Sequence, residues 1–194
     1  MSTSAVIRDV TQTLVDMLES EQKPVKFFRA SVVSPAEETP EIKDGPNLKG
    51  KANLFLFRVT ENPFARNPDW QPIGTSNLIY PPLALNLFYV LTPFASTKPD
   101  EYSVLGEAMR IFHDNAIIKA PMLKGDLEYT DEELKVDLCQ LSIEDLTRIW
   151  NALNRPYRLS VCYEVRIVLI DSFIERTVHR VIQKVEQYSE ITGK

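Results

Sequence analysis

A chain of 194 residues, 44% hydrophobic and 25% charged, has ordinary globular composition and length for one well-buried core but scarcely for two. Its net charge of −5, with lysine and arginine scattered along the chain, lacks the basic stripe that phosphate-backbone binding draws on, so no nucleic-acid partner is expected. The opening Met1 to Asp9 has neither the basic start nor the apolar block of a secretory signal, and no apolar run approaches a membrane span; the expectation is assembly in the cytoplasm with no membrane partner.

Val6, Ile7, Val10, Leu14, Met17 and Leu18 recur at helical spacing, which predicts an amphipathic helix over 4–20 with N-cap hydroxyls in Ser2 to Ser4. A strand over 25–33 follows, then a proline-rich charged segment over 34–46 that reads as an exposed loop. Residues 52–60 make the next strand, with Phe55, Phe57 and Val59 on one face and Leu54, Leu56 and Arg58 on the other. Glu61 to Gly74, with three prolines and the aromatics Phe64 and Trp70, reads as a long irregular loop of the kind that is often functional.

The strand Leu83 to Leu91 is apolar on both faces except for Asn86, and prolines flank it. Such a strand belongs in the middle of a sheet, paired with 52–60 and covered on both sides by helices or by another subunit. Asn86 either holds a backbone across a subunit boundary or is satisfied within its own domain.

A second helix, capped by Asp100 or Ser103, carries Val104, Leu105, Ala108, Met109 and Phe112 and fades near Ile118. A strand at 134–138 precedes a capping box at Ser142 to Asp145 and a third helix through Leu153. Residues 158–170 alternate as a long strand; beyond Asp171 the β-branched content of Val178, Val181, Ile182 and Val185 leaves helix and extended arm both open. Strands joined without crossover helices predict an α+β single domain whose mixed or mainly antiparallel β-sheet is covered by about three helices.

Chemistry is sparse. His113 and His179 have no metal-ligand spacing, so no metal is expected. His113-Asp114 reads as a polar helix terminus before it reads as an acid/base pair, and a small hydrolase built on it would lack a nucleophile. No phosphate loop, nucleophile elbow or dinucleotide fingerprint occurs, so neither a cofactor nor an enzyme activity is expected. The carboxylates at 37–38, 126–128 and 131–133 read as solvated surface. Cys139 and Cys162 sit in strand-like segments; a disulfide between them is conceivable, yet two buried or half-buried thiols suit a reducing compartment better.

Several segments, in this order, carry a resemblance: Ser4 to Thr11, Asn53 to Phe57 running into Glu61-Asn62-Pro63, Pro81 to Thr92, Leu105 to Arg110, Leu138 to Asp145 and Tyr157 to Arg166. Together they resemble the N-terminal domain family of the cap, or tail-terminator, proteins of extracellular contractile injection systems, which are phage-tail-like particles. The resemblance covers about residues 4–172 and rests on the ordered set, because no single segment is a catalytic signature.

The resemblance implies a structural ring, a hexamer, seated on the distal end of inner tube and outer sheath, with the terminal tube and sheath proteins as partners and a place in an extracellular particle. A tail-completion or joining adaptor of a related phage tail or secretion apparatus shares the same ring logic. In this reading residues 1–172 form the cap domain and 173–194 a C-terminal arm or short helix. Asn62, Pro63, Phe64, Arg66, Asn67 and Trp70 of the loop, with Arg176, Arg180 and Lys184 of the tail, are the candidate protein–protein contacts.

Overall fold

Leu85, Leu87, Tyr89 and Leu91 on the strand Leu83–Ala95 (β5) are buried in one row, and burial this deep requires strands on both sides. The computed structural model, which describes residues 4–23, 26–35, 48–66, 68–74, 76–130 and 132–177, supplies them. β5 pairs antiparallel with Gly50–Glu61 (β2) on one side and Val161–Ile170 (β8) on the other. Phe28–Ser31 (β1) extends the sheet beyond β2 in the one parallel pairing described. Leu134–Cys139 (β7) and Ile117–Ile118 (β6) extend it beyond β8, giving the order β1-β2-β5-β8-β7-β6. This is the expected α+β fold with a mixed sheet.

Two helices cover the Leu87–Leu91 face. Val6–Ser20 (α1) presents Val6, Val10, Leu14, Met17 and Leu18, all buried at 3.6-residue spacing. Lys98–Asp114 (α2) presents Val104, Ala108, Ile111 and Phe112, the last stacked edge-on against Tyr163 at 4.7 Å. A fully buried leucine is worth about 1.5–3 kcal/mol over an exposed one, against about 0–1 kcal/mol for an exposed ion pair, so burial and not surface charge holds these layers together. Tyr89 adds a polar tie: its hydroxyl lies 2.8 Å from Thr11 Oγ1, and burial pushes its pKa up to about 12.

The opposite face of β5 is covered unevenly. Ile143–Ala152 (α3) contributes Trp150, 1% exposed, whose indole N–H donates to Ser160 Oγ at 3.2 Å just before β8. Val90 and its cross-strand partner Cys162 are buried on this face. Further along, Phe88 is only half-buried, with the Arg58 guanidinium 5.1 Å above its ring and Phe57 tilted against it at 6.4 Å. Cover by helices or by another subunit is the expectation; at Phe88 the described chain itself supplies a cation and a second aromatic.

Arg58 reaches that face through a bulge. The register runs Leu56↔Tyr89 and then Arg58↔Phe88, so Phe57 is an extra residue and the alternation reverses. Strict alternation had placed Arg58 with Leu54 and Leu56. A second irregularity, where Leu85 and Leu87 face Val168 and Val165, bends β8 near Arg166, whose guanidinium bonds to Asp137 of β7.

Element ends depart from the sequence reading for local reasons. β1 stops at Ser31 because the Asn53 amide takes over: it accepts from Val33 N at 3.1 Å and donates to Val33 O at 2.7 Å, substituting for ladder bonds. β5 runs through Pro93, which lies past the last β5–β8 pair, Leu91↔Val161, where a missing N–H interrupts no ladder on that side. The N-cap of α2 is Thr97, not Asp100 or Ser103: its hydroxyl accepts from Asp100 N and donates to Asp100 Oδ2 at 2.7 Å. α2 ends at Asp114 because Ile117 and Ile118 pair with Lys135 and Leu134. α1 begins after Ala5 with no side-chain cap, so Ser4 does not serve as one. The capping box at Ser142 is present, with Asp145 N donating to Ser142 Oγ at 3.1 Å. The loop expected over 34–46 lies almost wholly outside the described residues.

The short 3₁₀ helix Gly125–Tyr129 is latched to α1. Asp126 N donates to Asp9 Oδ2 at 3.1 Å, and Lys124 N donates to Thr13 Oγ1 at 3.0 Å. Gly125 has φ +62°, and a Cβ there would sit 2.4 Å from the Asp9 carboxylate. Gly125→Ala is therefore expected to cost about 1–3 kcal/mol from the backbone alone, with the clash added. A urea titration reads this as a lower midpoint at unchanged slope, and an unshifted midpoint would contradict it.

The described residues within Met1–Arg66 and Pro82–Asp171 form one compact unit, and those within Asn67–Pro81 and Ser172–Lys194 form another. The second is a three-stranded antiparallel sheet, Gln71–Ile73 (β3), Asn77–Ile79 (β4) and Glu175–Thr177 (β9), in the order β3-β4-β9. Part of the segment read as an irregular loop is thus a hairpin. Gly74, at φ +63°, reverses the chain, and Pro72 is tolerated because β3 is an edge strand. Among the described residues no helix is long and apolar enough to cross a membrane.

Candidate protein–protein interface

The end of β2 carries the most exposed large hydrophobic side chain described, Phe64, at 96%. Its position follows from the sequence Asn62-Pro63-Phe64-Ala65. Ala65 N donates to Asn62 O at 3.3 Å, closing a β-turn with proline at the second position, where its fixed φ is suited to the turn. Asn62 Oδ1 accepts from Phe64 N at 2.9 Å, so the side chain before the proline fixes the residue after it.

Asn62 is itself anchored from below. Its N–H donates to Ala84 O at 2.8 Å and its Nδ2 to Asn86 Oδ1 at 2.9 Å, while Asn86 Nδ2 donates to Glu164 Oε1 at 2.8 Å. Asn62 and Asn86 are 3% and 7% exposed, and their amides close a polar relay across β2, β5 and β8. Asn86 is therefore satisfied within its own unit, the second of the two readings its position allowed. Asn62 supports the turn from within. Arg66 closes the turn on the outside, bonded to Glu61 at 2.7 Å and 3.0 Å; that contact raises its pKa above the ordinary arginine value. The result is an exposed aromatic on a backbone already fixed, so ordering it against a partner costs little entropy.

The phenyl ring of Phe64 stands clear of the fold. Trp70, in the second unit, is half-buried and packs edge-on against Tyr80 at 5.3 Å. In the same unit Tyr80 N donates to Ile174 O at 2.8 Å, and Phe173 is 85% exposed. Arg176 is exposed on β9 opposite Leu78. Asn67, Arg180 and Lys184 lie outside the described residues. The sequence reading misses the two most exposed aromatics after Phe64: Tyr129, at 87%, and Phe173. The signal for Tyr129 lay within the acidic stretch at 126–133, where Leu127 turns inward and its neighbours outward.

Asp114 Oδ2 accepts from Arg110 Nη1 at 2.5 Å on the surface of α2, and His113 is exposed, so this pair is the polar helix terminus expected of it. Among the described residues no three or more of His, Cys, Asp and Glu are grouped to hold a metal.

A family model for the Pvc16 N-terminal domain matches residues 9–184. The chain belongs to this family. No curated protein sequence matches it. Among solved structures, the fold of the family member resembles the sheath/tube terminator of an extracellular contractile injection system, PVC, solved by cryo-EM in its extended state: TM-score 0.66, 17% identity, 99% of this chain and 67% of the other. It also resembles the tube-terminating cap of the anti-feeding prophage, with TM-score 0.60 and 15% identity over 97% of this chain and 62% of the other. The chain thus spans about two thirds of the length of those proteins, and at these identities the likeness is one of fold.

Proposed function

We propose that the chain is a structural cap that terminates the inner tube and outer sheath at the distal end of a phage-tail-like contractile injection particle, acting as a ring, most simply a hexamer. The observation that carries this reading is family membership over residues 9–184 together with the fold likeness to a sheath/tube terminator over 99% of the chain. A cap works by blocking further addition to a polymer, which takes a rigid wedge and specific contacts and no reaction centre. The helix-backed six-stranded sheet supplies rigidity, and the Asn62–Arg66 turn supplies a preorganised contact. The terminal tube and sheath proteins are its partners, the cytoplasm its site of assembly and the released particle its destination.

Within this reading residues 1–172 are the cap domain and 173–194 an arm that starts from β9, held by β4, and reaches a neighbouring protomer or the sheath. Electron microscopy of particles carrying a labelled chain should place the label at the distal tip, and the purified chain should co-purify with tube or sheath protein. A label elsewhere, or a monomer that binds neither, overturns the reading. Deleting residues 175–194 removes β9 and is expected to weaken ring formation and capping; unchanged rings with unchanged tube contacts would rule out the arm.

A further inference from the structure

Cys139, the last residue of β7, and Cys162, the second of β8, are register partners on adjacent antiparallel strands. Both are free thiols. Val136 N donates outward to Ala116 O at 2.8 Å, so by alternation the backbones of Asp137 and Cys139 face β8, and Cys139↔Cys162 is a hydrogen-bonded pair. Such pairs hold their Cα atoms about 5.5 Å apart, inside the span that a disulfide bridges. Both side chains leave the same face of the sheet, and the thiols are close enough to interact. Burial, and then the neighbouring Cys139, raise the pKa of Cys162. Cys162 is 1% exposed while Cys139 is half-buried, so one thiol is sheltered and the other is reachable.

We propose that Cys139 and Cys162 form a cross-strand disulfide by exchange with a low-molecular-weight disulfide of the glutathione class. The Cys139 thiol loses its proton to solvent, and the thiolate attacks one sulfur of the small disulfide. That step breaks the small S–S bond and expels one small thiolate. The Cys162 thiol, deprotonated in turn, attacks the Cys139 sulfur of the mixed disulfide and expels the second. Two protein thiols are oxidised, one small disulfide is reduced to two small thiols, and the two protons released are taken up by the departing thiolates. The reachable sulfur meets the reagent first; the sheltered one, which burial holds protonated, resolves the mixed disulfide slowly, so ring closure is faster at alkaline pH.

The bond has a structural consequence. β6 pairs only with Leu134 and Lys135, so beyond Val136 the described ladder partner of β7 is β8. A Cys139–Cys162 bond closes the excursion from β7 through α3 to β8 and fixes the end of β7 from which α3 departs. Linking this exchange to release from a cell into oxidising surroundings rests on the cap reading above. The exchange itself does not, and the test uses the full chain alone.

The purified chain is incubated with oxidised glutathione and its intact mass, thiol content and melting temperature are measured. The expected result is a mass lower by two hydrogens, a linked peptide containing both cysteines, protection of both from alkylation, and a melting temperature raised by about 5–10 °C that dithiothreitol reverses. Cys139→Ser and Cys162→Ser should each lack the rise. An unchanged mass, a reaction that stops at a glutathione adduct on Cys139, or a bond between two chains would overturn the proposal, whether or not the chain proves to be a cap.

Discussion

Phe64→Ala is expected to leave the monomer folded and to weaken its self-association by about 30-fold or more per contact. An aromatic anchor truncated at the centre of an interface costs about 2 kcal/mol or more, and each 1.4 kcal/mol is tenfold in affinity. The fold is spared because the side chain is 96% exposed and the turn beneath it is held by the backbone and by Asn62, not by the phenyl ring. Sedimentation across a concentration series measures the association, and circular dichroism checks the monomer. Tyr129→Ala is the control, an aromatic 87% exposed at a distant point in the chain. If both variants assemble as the parent does, the turn is not the contact; if only the Tyr129 variant fails, the contact lies on the 3₁₀ helix.

The parts of this molecule that are legible in its sequence are those governed by a single period. Alternation identifies β5 as a central strand and β8 as a long one, and 3.6-residue spacing identifies α1 and α2, because burial repeats with the backbone. Ser142 is legible as a cap because its partner lies three residues away. The sequence is opaque where one side chain overrides the period. Asn53 ends β1 from a neighbouring strand, the extra residue at Phe57 turns Arg58 to the other face, and β3, β4 and β9 are three residues each and depend on one another across about a hundred positions of sequence. In the candidate interface the exposed Phe64 and its proline are visible in the sequence, whereas the Asn62–Asn86–Glu164 relay, spanning 78 residues at its widest step, is a property of register alone.

That relay makes Asn86 the position where a small change is expected to do the most damage. Asn86→Ala removes the acceptor for Asn62 Nδ2 and the donor to Glu164 Oε1 together. Leaving a buried polar group unpaired costs about 1–3 kcal/mol, so the loss is about 3 kcal/mol, a large share of the 5–15 kcal/mol by which domains are stable. Asn86→Asp keeps the shape and separates the causes. It replaces a donor 2.8 Å from Glu164 with a carboxylate, setting two like charges together at a site where Asn86 is 7% exposed. Burial and repulsion both raise the folded-state pKa of the introduced carboxyl above its unfolded value, so the folded state of this variant binds more protons. The deficit of Asn86→Asp should therefore be greatest near neutral pH and should shrink as pH falls through the raised pKa, while that of Asn86→Ala should change little over the same range. Urea titrations at pH 7 and pH 5 separate the two. Parallel behaviour of both variants would mean that the introduced carboxyl is not held inside the buried relay. An assembly defect in Asn86→Ala at temperatures where it remains folded would show that the relay is what holds Phe64 in place.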